Sequence, residues 1–173
     1  MSRFRTLITA GVAAAVTFVV LTSMGGVQAQ DTAAREARDR AEIDALMWRY
    51  VRALDTLNAD AYAANYTPDG RFGNTKGHEA LKKMITDLVQ QRTAAAAKGE
   101  PPRPAMYHVI TNPYVEFVDR DHATYRSYWM TVFGAAGQNM PPRVAAAGRG
   151  LDRLVRVNGK WLIQSREVTP TDE

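Results

Sequence analysis

The chain opens on a short basic start, Met1-Ser2-Arg3-Phe4-Arg5, and continues into an uncharged apolar stretch from Leu7 to Leu21. From Asp39 the hydrophobic positions take a helical period. Ile43, Leu46, Met47, Tyr50, Val51, Leu54 and Leu57 recur at spacings of three and four. An advance of about 100° per residue puts Tyr50 near the centre of that stripe, so its hydroxyl needs an interior partner. Asp39 with Glu42 forms a variant capping box that predicts a helix start there, after a polar, frayed segment over 30–38. Asn58 predicts the cap of a short second helix through Tyr66, followed by a turn at Thr67-Pro68-Asp69-Gly70 and a brief extended piece from Arg71 to Asn74. Gly77 precedes a third helix with Leu81, Met84, Ile85, Leu88 and Val89 on one face. Lys98-Gly99, Pro101-Pro102 and Pro104 stop it.

After Pro104 the period changes to two. Met106 to Val118 and Ala123 to Phe133 read as a long hairpin around Asp119-Arg120-Asp121-His122. A loop from Gly134 to Pro142 leads to a strand over Arg143 to Val157, and Asn158-Gly159 turns it into an antiparallel return over Lys160 to Val168. Three helices followed by a four-stranded meander predict an α+β fold, with helices gathered on one face of a curved, mainly antiparallel sheet whose concavity makes a pocket. Pairing outward from Asn158-Gly159 sets Asp152 opposite Ser165, Leu154 opposite Ile163 and Arg156 opposite Trp161. Arg153, Gln164 and Arg166 then fall on the other face.

The N-terminal pattern changes the picture of where this domain works. Val27 and Ala29 are small residues at the positions signal peptidase accepts, placing cleavage before Gln30 and predicting a periplasmic or secreted protein. The competing reading is an uncleaved anchor, but Thr9, Gly11 and Thr17 interrupt the apolar stretch, and no membrane span is expected after cleavage. The expected division is a signal peptide over 1–29, a flexible segment over 30–38, one domain over 39–168 and a tail over 169–173. Removing 1–29 leaves 144 of the 173 residues, enough for one core without cysteine staples, of which the chain has none. Charge is 22 Lys+Arg against 18 Asp+Glu, and Arg3 and Arg5 leave with the signal. The remaining arginines early in the domain alternate with acids along one helix, which argues against a nucleic-acid partner.

Several segments carry a family likeness. Arg49 to Asp55, Asn58-Ala59-Asp60 and Tyr66 to Gly70 resemble the opening of SnoaL-like domains of the NTF2-like superfamily. Gly77 to Leu81, His108 to Asn112 and the ending from Asp152 to Trp161 are similar to the same family, so the resemblance spans most of 39–168. It implies a cone of three helices over a strongly bent sheet with a mainly apolar cavity. Relatives include ketosteroid isomerase-like and scytalone dehydratase-like enzymes, polyketide cyclases and proteins with no known reaction, so fold alone does not decide activity.

The resemblance aligns His108 with the strand histidine that dehydratase-like relatives use as an acid/base, and imidazole suits that work. The bland reading is a histidine bonded to neighbouring backbone. Asn112 shares its face if the alternation is unbroken, although Pro113 marks a place for a bulge. Asp152 is either an interior carboxylate partnered by His108 or Tyr50, or an exposed strand-end residue paired with an arginine such as Arg149. Tyr50 is either a donor to a substrate carbonyl or a satisfied core tyrosine. Tyr125 and Trp129, with Leu54, are the expected ligand-lining residues, unless the opposite face with Arg126 and Tyr128 lines the cavity. Asp55 sits off the apolar stripe and is expected to help the turn into Asn58. The relatives' acid on the first helix and second histidine are absent from the comparable stretches, Trp48-Arg49 and Tyr125-Arg126-Ser127.

Three histidines at 78, 108 and 122 lack metal-ligand spacing, and no nucleophile elbow or phosphate loop is present, so neither metal nor cofactor is expected. Three functions remain open: a cofactor-free lyase or isomerase moving a proton on a small apolar substrate, a binding module for a hydrophobic metabolite, or a scaffold that forms a homodimer through the outer sheet face.

Overall fold

The computed structural model describes residues 4–101, 103–135 and 141–169, with side chains from residue 28 onward. The basic start, the apolar stretch and most of the Gly134 to Pro142 loop and the 169–173 tail therefore lie outside the described side chains. The chain divides into two compact units, Met1–Ala41 and Glu42–Glu173.

Helix α1 runs over Phe4–Asp55. It is continuous through 30–38 and past Asp39, so the frayed segment and the start at Asp39 are not observed. Among the described residues no helix is long and apolar enough to cross a membrane. In the second unit the predicted stripe is the buried one: Ile43, Leu46, Met47, Tyr50 and Val51 all enter the core.

Asn58 caps α2 (Ala59–Ala63), its side-chain oxygen accepting from the Ala61 amide at 3.0 Å. The helix ends before Tyr66. Strand β1 (Tyr66–Phe72) absorbs the Thr67 to Gly70 segment expected as a turn, and its register against a neighbouring strand breaks between Tyr66 and Arg71. That break houses the Pro-Asp-Gly sequence without ending the strand. Strand β2 (Thr75–Lys76) follows, then Gly77 at φ 86° starts α3 (His78–Ala97). Leu81 and Ile85 are fully buried on the face predicted for it.

The remaining strands are β3 (Met106–Phe117), β4 (His122–Phe133), β5 (Arg143–Val157) and β6 (Lys160–Glu167). Asn158 at φ 50° and Gly159 at φ 77° supply the left-handed pair that the last hairpin requires. Strand order is β2-β1-β6-β5-β4-β3, so the expected four-stranded meander is extended to six strands. Pairing is antiparallel except for β1 alongside β6. The fold is α+β, with helices packed on this mixed sheet, and the core joins α1, α2 and α3 to the inner faces of β4, β5 and β6.

Two irregularities decide which side chains turn inward. In β3 the register shifts between Thr111 and Tyr114, with Asn112 at φ 51°. In the last hairpin Leu154 pairs with Ile163 but Arg153 pairs with Ser165, so Gln164 is an extra residue and Asp152 faces Arg166.

Candidate functional site

His108 lies on the inner face of β3, the strand at one end of the sheet. Its Nδ1 is 2.7 Å from Asp55 Oδ1, and the same oxygen accepts from the His108 backbone amide at 2.9 Å. A carboxylate only accepts, so Nδ1 carries a proton, and in the tautomer this bond selects Nε2 is the lone-pair nitrogen. Nε2 makes no hydrogen bond among the described residues. The two side chains are 18% and 8% exposed, enough shielding to fix the geometry and enough opening for a ligand to reach the ring. Asp55 thus does what Asp152 was expected to do.

Asp55 lies off the apolar stripe for an angular reason. Four residues beyond Val51, it lies about 40° past the stripe's edge, on the side of α1 that faces β3. Asp44 and Trp48 share that side. With Met47, Val51, Ile110, Pro113 and Tyr125 they line a groove against His108. On its other side His108 contributes to a hollow of about 210 Å³ walled chiefly by Tyr50, Leu54, Phe72, Ile110, Trp129 and Arg166. The hollow is below the roughly 300–1,000 Å³ of sites for drug-sized molecules, which suits a smaller ligand.

Of the expected site residues, Tyr50, Leu54, Trp129 and His108 meet in this hollow. Tyr125 is on the same strand face but lines the groove. The inner set on β4 is Tyr125, Ser127 and Trp129, while Arg126 and Tyr128 are exposed. Trp129 is held by two bonds from Nε1, to the carbonyls of Arg149 and Val168, each 3.0 Å. Gly148 makes room for it: a Cβ there would stand 2.9 Å from the indole.

Asn112 does not join the site. The β3 bulge leaves it exposed, its amide oxygen accepting from Thr111 Oγ1. Strict alternation predicted the opposite, and Pro113, which cannot donate to the ladder, marks where alternation fails.

Asp152 is an interior carboxylate, but its partner is Arg166, which lies beside it and is equally enclosed. Neither His108, Tyr50 nor Arg149 fills that role. Arg166 was expected on the opposite face; the extra residue Gln164 reverses the parity of β6 and brings it inward. Burial pushes Asp152 up to about 6, against Arg166, which pulls it down. The Arg166 guanidinium carbon sits 4.5 Å over the Tyr50 ring. Tyr50 belongs to a cluster with Tyr62 and Tyr66, whose hydroxyls are 3.1 Å apart. Burial raises the Tyr50 phenol, while Arg166 and its hydrogen bond with Tyr62 lower it. Among the described residues no three His, Asp or Glu side chains gather as metal ligands.

Comparison with known proteins places this geometry. No curated protein sequence matches the chain. Solved structures do. An NTF2-like protein with a cystatin-like fold from Novosphingobium aromaticivorans is 24% identical, with a TM-score of 0.62 over 80% of this chain and 85% of its own. A second protein from that organism, provisionally assigned as a scytalone dehydratase, is 22% identical, with a TM-score of 0.59 over 77% and 84%. ActVI-ORFA from Streptomyces coelicolor is 20% identical, with a TM-score of 0.62 over 75% and 95%. These likenesses establish the fold. Residues 35–167 match the SnoaL-like domain, and the chain belongs to that family within the NTF2-like fold.

Proposed function

We propose that the protein is a cofactor-free lyase or isomerase that moves a proton on a small, largely apolar substrate, with His108 as the acid/base and Asp55 as its positioning partner. One observation carries the reading: a single Asp55 oxygen accepts from both the ring and the backbone of His108, leaving Nε2 as the lone-pair nitrogen of a ring that lines a largely apolar hollow. This arrangement fixes the tautomer and stabilises the imidazolium formed when Nε2 takes a proton. The family's small-molecule pockets and the solved relative provisionally assigned as a dehydratase support it.

The test is proton exchange. Small aryl ketones incubated in D₂O with the wild-type protein are expected to exchange α-protons, followed by NMR, and folded His108→Ala is expected to lose that exchange. Equal exchange in the variant would falsify the assignment. An intact ligand seen by native mass spectrometry, with no exchange in the wild type, would identify a binding module instead.

The cleavage before Gln30 and export to the periplasm or beyond belong to the same proposal, checked by sequencing the N-terminus of protein recovered outside the cytoplasm. Exposed Tyr107, Val109, Tyr128 and Val144 on the outer sheet face favour a homodimer, which light scattering measures.

A further inference from the structure

The flank of α1 turned away from Asp55 and His108 gathers positive charge. At about 100° per residue, Glu42, Ala45, Arg49, Arg52, Ala53 and Thr56 fall within one arc of about 100°, while Asp44 and Asp55 fall on the other flank. The acids and bases that alternate along the sequence therefore separate in space. Two grooves run along the arginine flank, of about 510 Å³ and about 460 Å³, and they meet at Arg49 and Ala64, which line both. Neither shares a residue with the hollow beside His108.

From Glu42 to Thr56 the helix rises about 21 Å. An extended chain covers that distance in about six residues at roughly 3.3 Å each. Small side chains keep the path open: Ala45 and Ala53 on α1, Ala61 and Ala64 in and after α2, and Gly159 in the last hairpin. Trp48 stands at the rim, 66% exposed. Arg49, Arg52 and Lys160 are exposed as well, and none of the three has an ion pair or side-chain hydrogen bond among the described residues. Glu42, the one acid in the linings, is met by Arg156 at 3.7 Å.

A solvated helix face commonly pairs its charges at spacings of three and four. Arg40 with Glu36 and Lys83 with Asp87 do so in this chain, but Arg49 and Arg52 do not. We propose that the groove binds an extended acidic segment of a partner protein, about six residues long, with carboxylates at Arg49, Arg52 and Lys160 and an apolar side chain against Trp48. Charge complementarity sets the sign of the occupant, because three cations without a counter-charge face one acid that already has its own. The alanine floor and the exposed indole set its mixed character, since an extended peptide turns alternate side chains toward the surface it lies on. A uniformly charged polymer fits less well, because Glu42 stands at one end.

The full chain is titrated into a fluorescein-labelled nonapeptide in which glutamate alternates with alanine around a central leucine, and binding is followed by fluorescence anisotropy. At about 0.1 M salt the peptide is expected to bind about tenfold more tightly than its glutamine counterpart, and to weaken about tenfold at 1 M, where screening shortens from about 10 Å to about 3 Å. Arg49→Glu with Arg52→Glu is expected to weaken the glutamate peptide about tenfold and to take up its lysine counterpart instead. Lys160→Glu, on a separate element, is expected to act in the same direction. Ala64→Phe keeps every charge but fills the junction of the two grooves, and is expected to weaken the peptide about fivefold. Circular dichroism checks that each variant is folded.

Equal affinity for the glutamine peptide overturns the proposal, as does unchanged affinity in the folded arginine variant or in folded Lys160→Glu. Unchanged affinity in folded Ala64→Phe overturns it too, since charge alone would then account for the binding. Tighter binding of a thymidine nonanucleotide, heparin or phosphatidylglycerol vesicles than of the glutamate peptide overturns the peptide class.

Discussion

Two acid–base pairs stand in this domain, and they differ in what surrounds them. Asp152 and Arg166 are 0% and 2% exposed, joined across adjacent strands. Asp55 and His108 join a helix to the end strand of the sheet, and the histidine retains some access to solvent. A fully enclosed pair pays desolvation on both partners and cannot trade protons freely with water, so its removal is felt first as stability. A pair at the rim of a hollow is placed to exchange a proton with something entering it, so its removal is felt first as rate.

The largest effect tests the enclosed pair. Asp152→Ala leaves a guanidinium without its counter-charge and is expected to cost about 3–5 kcal/mol in urea unfolding. If stability is unchanged, the pair is not enclosed as described. His108→Ala is expected to lower proton-exchange rates by about 10²–10⁴-fold with little change in melting temperature. A large melting shift would assign His108 to the core and erase the contrast.

The third prediction uses pH. Asp152 has a folded pKa of about 6 against an ordinary 3.8, so between those values the folded state holds a proton that the unfolded state has released. Its favourable contribution is present below the unfolded value and is lost as pH rises through the folded one, by about 1.4 kcal/mol per pH unit at the steepest. Asp152→Asn is expected to flatten that part of the unfolding profile. An identical profile in the variant would assign the slope to other carboxylates. The smallest effect extends the series outward. Arg126 and Glu116 are about half exposed, and Arg126→Ala is expected to change stability by less than about 1 kcal/mol.

The same contrast explains what could be read from the sequence. Elements built on an unbroken period were legible: the α1 stripe, the Asn58 cap, the α3 face and the Asn158-Gly159 turn all occur. His108, Tyr50, Leu54 and Trp129 lie on regular stretches, and they meet. Three of the differences sit where a strand register breaks. Gln164 turns Arg166 inward, the bulge at Asn112 turns that side chain outward, and the register break in β1 carries a turn sequence through a strand. Period-two counting has no means of placing an extra residue, and one misplacement inverts everything beyond it. Asp55 was missed for a different reason: it sits at the margin of the stripe, where only the position of β3 decides whether a carboxylate faces solvent or an imidazole.

The indole of Trp129 offers a practical handle. It walls the hollow edge-on to two backbone carbonyls, with Gly148 giving it room. A fluorophore anchored that firmly emits from one well-defined environment, so a guest arriving beside it would register as a change in intensity or colour. With Trp48 and Trp161 replaced, the domain would carry its own optical gauge of occupancy, and a methyl group added at Gly148 would throw that gauge out of alignment.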